Sequence, residues 1–134
     1  MANYIVPNDL RYTKTHEWAK DLGGNKFRIG ITDYAAKHIG DVTYVELPHI
    51  DDELDKDEPG CVIETVKSSE DVYNSIGGTV VLENGDILNE NPEIINSDPY
   101  GEGWLYEIKA KSADDFKALM SREEYEKLLE ELGD

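Results

Sequence analysis

The sequence is poor in cysteine and in positive charge, and it has no long hydrophobic run. Cys61 is the only cysteine among 134 residues, so the chain can form neither an internal disulfide nor a zinc site built on cysteines. Its apolar runs are far shorter than the roughly 18 residues of a membrane-spanning helix. Thirteen basic residues face thirty acidic ones, a formal charge of −17, which repels phosphate backbones and anionic membrane surfaces. We therefore expect neither a nucleic-acid partner nor a membrane partner.

The N-terminal segment lacks the features of a targeting signal. Residues 1–14, MANYIVPNDLRYTK, contain neither the apolar core of a secretory signal nor the Arg- and Ser-rich pattern of a transit peptide. We expect a soluble, intracellular protein located in the cytoplasm. The length suits one domain over residues 1–134. The context GCVIET predicts that Cys61 is a buried strand residue and not a reactive thiol.

Short β-like runs dominate the first hundred residues. They cover residues 17–20, 26–31, 41–47, 61–66, 71–76 and 79–82, with a last run at 104–110. Turn signals that contain glycine separate them. The pattern predicts a mostly β fold, a sandwich or a barrel. Residues 51–60 are expected to form a charged loop, and residues 88–104 an irregular segment.

Helix signals occur once inside the chain and twice at its C-terminal end. TDYAAKHIG predicts a short internal helix that begins at Thr32 or Asp33 and ends at Gly40. Two capping patterns follow, Ser-x-x-Asp from residue 112 and Ser-x-x-Glu from residue 121. They predict a short helix and then a terminal helix, together spanning about residues 113–132.

Familiar catalytic and metal-binding patterns are incomplete in this sequence. HEWAK begins like a zinc-protease helix but has Lys20 where the second histidine belongs. A calcium loop starting at Asp51 has Lys56 in place of the required glycine. The three histidines are scattered, and no Gly-rich phosphate loop follows a strand. We expect no metal site and no catalytic residue.

Lys67 lies in a setting that its neighbours do not explain. The stretch IETVKSSEDVY, residues 63–73, places it between apolar β-branched runs, without the Asn-Gly, Asp-Gly or Gly that hairpin turns favour. We expect Lys67 at the exposed tip of a hairpin, where another enzyme can modify its amine. On the tip position alone, an ordinary solvated lysine is the simpler interpretation.

Four stretches resemble the H-protein family of the glycine cleavage system. They are RYTKTHEW from residue 11, GITDYAAKHIGDVTYVELP from residue 30, the loop ETVKSSEDVY, and NPEIINSDPYGEGWL from residue 91. They follow the family's order and spacing over about residues 10–130. ETVK alone also suits the lipoyl domains of 2-oxoacid dehydrogenases, but THEW, ITDYA and DPYGEGW do not belong to those domains.

The resemblance implies a barrel-sandwich hybrid fold like that of lipoyl domains, with a core at about residues 26–110, and lipoic acid amide-linked to Lys67. It implies a non-catalytic carrier. The carrier takes the aminomethyl group of glycine from the pyridoxal-phosphate-dependent glycine decarboxylase to the tetrahydrofolate-dependent aminomethyltransferase, and then passes electrons to dihydrolipoyl dehydrogenase. A lipoylating enzyme is a further implied partner. Two alternatives stay open: a lipoyl relay or donor for other complexes, and an unmodified scaffold module.

The resemblance also implies roles for residues around Lys67. Glu64 and Asp71 are expected to help the lipoylating enzyme recognise the tip, with plain solvation as the alternative. His38 and Glu17 are candidates for lining a cleft in which the loaded arm docks; for His38, capping of the internal helix is the alternative. The chain departs from the family's common residues at Ser68, Glu70, Ser75 and Gly77. These departures would alter how well partner enzymes accept the tip.

Overall fold

The computed structural model describes residues 4–133, which form two antiparallel sheets and five short helices. The strands are β1 (Arg11–Tyr12), β2 (Glu17–Gly23), β3 (Lys26–Ile31), β4 (Val42–Glu46), β5 (Glu53–Leu54), β6 (Pro59–Thr65), β7 (Ser69–Tyr73), β8 (Gly78–Glu83) and β9 (Tyr106–Ala110). The helices are α1 (Asp33–His38), α2 (Gly85–Leu88), α3 (Ile94–Ser97), α4 (Asp114–Lys117) and α5 (Arg122–Leu132). The large sheet has the order β1-β2-β3-β9-β8-β5, and the small sheet the order β4-β6-β7. The mostly β prediction is confirmed.

The main core lies between the two sheets and follows the two-residue period of the strands. In β3, Phe27, Ile29 and Ile31 are buried, and Ile63 of β6 packs in the same core. Each such side chain contributes about 1.5–3 kcal/mol when fully buried. Cys61 lies two residues before Ile63 on the same face, is 3 % exposed, and its thiol pKa is raised by burial. The prediction of a buried strand cysteine is confirmed.

A second apolar cluster fastens the C-terminal helix to the edge of the large sheet. Tyr125 of α5 stacks on Tyr12 of β1 with ring centroids 4.7 Å apart, and Trp18 is buried in the same cluster. The helix begins with the predicted capping box, since Ser121 accepts from the Glu124 N–H and the Glu124 side chain accepts from the Ser121 N–H. The terminal helix is therefore confirmed together with its start.

The short internal helix is also confirmed. Thr32 is the N-cap residue, and its hydroxyl accepts a hydrogen bond from the Ala35 N–H. The helix ends at His38, and Gly40 follows with φ of +87°. A positive φ favours glycine because it has no Cβ.

Several local predictions are wrong. The charged loop at 51–60 contains β5 and the first residues of β6, and the segment 88–104 contains α3. The strand expected to run to residue 76 ends at Tyr73, and the last strand starts at Tyr106. The strands β1 and β5 have two residues each, too few to show an alternating pattern. The partner of β1 is the next strand, whereas β5 pairs with β8, far along the sequence.

The capping pair predicted from residue 112 does not form. Ala113 is the N-cap residue of α4 and makes no side-chain cap. Ser112 accepts from the Asp114 N–H, while the Asp115 carboxylate accepts from the Gly77 N–H at 3.0 Å. Asp115 therefore ties the C-terminal segment to the start of β8.

Two absences apply to residues 4–133. Within this range, no helix combines the length and apolar character needed to cross a membrane. The same residues include no group of three or more His, Cys, Asp or Glu side chains arranged to bind a metal. Residues 1–3 and 134 lie outside the described range, and the prediction of one domain over 1–134 stays a prediction.

Candidate functional site

Lys67 lies in the exposed three-residue turn between β6 and β7, as the sequence predicts. The strands pair as far as Glu64 and Ser69, and the Thr65 N–H then donates to the Ser68 carbonyl at 2.8 Å. The Thr65 hydroxyl accepts from the N–H groups of Lys67 and Ser68, each at 3.1 Å. A threonine hydroxyl thus supplies the turn chemistry that glycine or asparagine usually provides. Thr65 is the turn residue that the search for glycine-type signals missed.

The tip rests on the segment that follows α1. The Val66 N–H donates to the Asp41 carbonyl at 3.0 Å, and the Lys67 Nζ lies 3.4 Å from the His38 carbonyl. A Cβ on Gly40 would come within 2.8 Å of the Lys67 Cε, so the lysine stem passes directly over this glycine. The ammonium group therefore lies at the C-terminal end of a helix, where the helix dipole favours a cation.

Glu64 and Asp71 lie on the outer face of the small sheet. Glu64 pairs with Ser69, and Asp71 pairs with Val62 two residues further along. Both carboxylates are exposed, whereas their neighbours Ile63 and Val72 face the core. They are diagonal neighbours, about 7–8 Å apart in such a register.

His38 is the last residue of α1 and is exposed. Its Nδ1 lies 2.8 Å from the Tyr34 carbonyl one helical turn earlier, and its ring stacks on the Tyr34 ring at 4.1 Å. The predicted capping role of His38 therefore has a hydrogen bond to support it. Its carbonyl, in turn, faces the Lys67 ammonium, so the structure brings His38 and Lys67 together.

Glu17 is a buried carboxylate at the other end of the hairpin, and it is only 2 % exposed. It accepts hydrogen bonds from the hydroxyls of Thr13 and Thr15 and from the Tyr73 N–H. Burial raises the pKa of Glu17, and the two hydroxyls offset part of this effect. Burial therefore disfavours the ionised form of this carboxylate relative to its neutral form.

A groove of about 560 Å³ opens beside Glu17. Its walls include Thr13 and Thr15 before β2, and Tyr73, Asn74 and Ser75 at the end of the hairpin. The rest of the lining consists of Tyr12, Lys14, Lys56, Asp57 and residues 118–120. The groove begins where β7 ends, so the hairpin leads from Lys67 at one end to the groove at the other.

Two of the four departures from the family pattern contact each other. The Ser68 hydroxyl donates to the Glu70 carboxylate at 2.8 Å, beside the lysine. Ser75 is buried, and its hydroxyl has no hydrogen-bond partner among residues 4–133. Gly77 donates to Asp115, as described above. The departures at Ser68 and Glu70 therefore stabilise each other's side chains and place a carboxylate close to the tip.

Comparisons with known proteins agree with the resemblance. The family profile described as Glycine cleavage H-protein matches residues 10–132. The chain is 46% identical over 121 residues to the glycine cleavage system H protein of Psychrobacter sp. (strain PRwf-1), covering 90% of this chain and 95% of that protein. It is 46% identical over 127 residues to the one of Halothermothrix orenii, covering 95% of this chain and 98% of that protein.

A solved structure has the same fold. The crystal structure of a glycine cleavage system H protein from Mycobacterium marinum aligns with a TM-score of 0.82 and 28% sequence identity, covering 96% of this chain and 100% of that one.

Proposed function

The chain belongs to the glycine cleavage H-protein family, and on that premise we propose that it is a lipoyl carrier with lipoic acid attached to Lys67. The observation behind the assignment is the position of this lysine in the exposed turn at the end of a long hairpin. Attachment joins the ε-amine to the lipoate carboxyl group as an amide and releases water. It removes one positive charge, so the acidic chain becomes one unit more negative.

The residues at the tip fit such a modification. Lys67 is exposed, and its Nζ lies within hydrogen-bond distance of the His38 carbonyl, which a neutral amide N–H can also satisfy. The Thr65 hydroxyl holds the backbone of the turn, so the lysine is presented in a defined place. We propose that Glu64 and Asp71 are read by the lipoylating enzyme, since both carboxylates lie on the face that surrounds the tip.

We propose that this carrier connects three enzymes in the cytoplasm. It takes the aminomethyl group of glycine from the pyridoxal-phosphate-dependent decarboxylase to the tetrahydrofolate-dependent aminomethyltransferase, and then meets dihydrolipoyl dehydrogenase. The lipoyl group, when bound, supplies a disulfide for thiol-disulfide exchange. The chain supplies position, and tethering raises the local concentration of the disulfide at each docked enzyme into about the millimolar range. The chain itself has no catalytic role in this proposal.

Glu17 is proposed as the cation-binding residue of the groove. A primary ammonium group that enters the groove meets a carboxylate whose ionised form lacks solvent, so the pair stabilises both charges. The groove lies where β7 ends, and an arm that folds back along this strand is directed toward it. We propose that His38 positions the end of the arm that is attached to Lys67, because its carbonyl already faces the Lys67 amine.

The mass of the intact protein, purified from its natural source, tests the attachment. One lipoyl group is expected on the wild type and none on Lys67→Ala, and Lys67→Arg serves as a control that keeps the charge. An unmodified wild-type chain from cells supplied with lipoate would favour the scaffold alternative and refute the proposal.

A second assay separates the carrier from the relay alternative. The modified protein should support glycine-dependent exchange of carbon dioxide with the cognate decarboxylase. If the modified protein supports no exchange but restores lipoylation of another complex, the relay function is correct instead.

A further inference from the structure

One side chain from a distant part of the sequence holds the C-terminal end of α1. Asn96 of α3 donates from its carboxamide nitrogen to the carbonyls of Ala36 and Gly40, at 3.0 and 2.9 Å. Its carboxamide oxygen accepts from the Val42 N–H at 2.9 Å. Both amide hydrogens are therefore used, and all three partners are backbone groups: Ala36 in the last turn of α1, Gly40 in the connection, and Val42 at the start of β4.

The same segment supports the lysine tip. We call residues 38–42 the cradle. The Asp41 carbonyl accepts a hydrogen bond from the Val66 N–H, and the His38 carbonyl accepts one from the Lys67 Nζ. The lysine stem lies over Gly40 in between. Asn96 binds Gly40 and Val42, which are the two neighbours of Asp41 in the chain. The direction of the Asp41 carbonyl is therefore fixed from both sides by Asn96.

We propose that Asn96 is a positioning residue for Lys67: by fixing the cradle it fixes the orientation in which the lysine leaves the protein. The inference rests on the proposed attachment of lipoic acid to Lys67. The turn is exposed, and the Val66 side chain at its start is 67% exposed, so side-chain burial does little to order it. Its order comes from the Thr65 hydroxyl and from the two cradle contacts.

The effect on function depends on the fraction of molecules in which the tip has the orientation that the cradle fixes. If loss of the Asn96 hydrogen bonds lowers that fraction, the apparent affinity of any enzyme for the tip falls in proportion. The catalytic rate of the bound complex does not change, because the reacting amine is the same. Asn96 variants should therefore raise the KM for the carrier as substrate and leave kcat unchanged.

Asn84 offers a matched control. Its carboxamide nitrogen also donates to two backbone carbonyls, those of Glu102 and Trp104, at 2.8 and 2.7 Å. Asn84→Ala removes the same number of donated hydrogen bonds, but on the loop before β9. A general loss of stability affects both variants, whereas a change at the tip is expected only for Asn96.

The experiment compares wild type, Asn96→Ala and Asn84→Ala with two readouts. Backbone ¹⁵N relaxation of the unmodified proteins should show order parameters for Val66 and Lys67 falling from about 0.85 to below about 0.6 in Asn96→Ala alone. Initial rates with an ATP-dependent lipoate-attaching enzyme and free lipoate should show a KM for Asn96→Ala raised about threefold or more, at constant kcat. If Asn96→Ala does not fold, Asn96→Asp serves instead, since it keeps the acceptor for Val42 and lacks both amide hydrogens.

Unchanged order parameters and an unchanged KM in a folded Asn96 variant would overturn the inference. An equal rise in KM for Asn84→Ala would also overturn it, because the effect would then reflect stability. The relaxation measurement needs no lipoate, so it tests the positioning role of Asn96 even if wild-type Lys67 is never modified. A wild-type Lys67 that is never modified would refute the proposed function and not this inference.

Discussion

The Glu17 carboxylate of β2 accepts a hydrogen bond from the Tyr73 N–H of β7 at 3.1 Å, so one buried side chain joins the large sheet to the strand that leaves the lysine tip. No strand pairing joins β2 to β7, because they belong to different sheets. The contact therefore fixes the base of the hairpin while its far end carries Lys67.

The charge of Glu17 should make stability depend on pH. Burial raises the Glu17 pKa above its ordinary value of 4.5, so the folded protein keeps a proton that the unfolded chain has lost. Stability then falls as pH rises from about 4.5 through the folded-state pKa. Relative to wild type, Glu17→Gln should become more stable across that window, as measured by urea unfolding at several pH values. Exposed Glu46→Gln is the control, and a stability difference that stays constant with pH would contradict the prediction.

The Thr65 hydroxyl should stabilise the turn. Thr65→Val keeps the shape of the side chain and removes the acceptor for the Lys67 and Ser68 N–H groups. The expected loss is about 1 kcal/mol, because the lost hydrogen bonds are exposed and water replaces them in part. Urea unfolding measures it, and Thr65→Ser, which keeps the hydroxyl, should lose less. A negligible loss for Thr65→Val would contradict the prediction, because that variant removes the hydroxyl and keeps the methyl group.

The contact between Gly30 and Trp18 should exclude any side chain at residue 30. A Cβ on Gly30 would lie 2.5 Å from two ring atoms of Trp18, and the indole N–H also donates to the Pro99 carbonyl. Gly30→Ala should cost about 1–3 kcal/mol through overpacking. Thermal unfolding of Gly30→Ala, Trp18→Phe and the double variant forms a cycle. The smaller ring makes room, so the double variant should lose less than the sum, and strict additivity would argue against the clash.

Arg28 should stabilise the large sheet through Glu107. Its Nε and Nη2 both donate to one Glu107 oxygen, at 3.0 and 2.8 Å, and its guanidinium lies 4.5 Å from the centre of the Trp104 ring. Arg28→Met leaves the buried Glu107 carboxylate without its cation and should cost about 1–3 kcal/mol, since Arg28 is partly exposed to solvent. In urea unfolding, adding Glu107→Gln should recover part of the loss. No recovery would show that packing on Trp104 dominates.

The sequence predicts best where local chemistry decides the structure. The bounds of β3 agree residue for residue, and the caps at Thr32 and Ser121 are found as expected. These features depend on strand alternation and on side chains within three residues of the backbone groups they bind. The resemblance to the H-protein family added the barrel-sandwich hybrid fold and the proposed lipoyl role of Lys67.

Features made by distant contacts were not predictable in this way. Asp115 has the spacing of a helix cap, but it binds the Gly77 N–H, 38 residues away. Asn96 binds backbone groups 54 to 60 residues away, and nothing in its neighbourhood marks that role. The hydroxyl turn at Thr65 is local, and a search that included threonine would have found it.

The buried position of Cys61 has a consequence for the proposed lipoyl group, whose chemistry would be thiol-disulfide exchange. Its side chain faces the core from β6, and burial raises the pKa of the thiol, so it is poorly reactive toward disulfides. A lipoyl arm attached to this chain would therefore meet no reactive thiol of its own protein, and would not be trapped as a mixed disulfide with it. The hairpin that would expose the arm to its enzymes thus also keeps the Cys61 thiol buried and away from thiol-disulfide exchange.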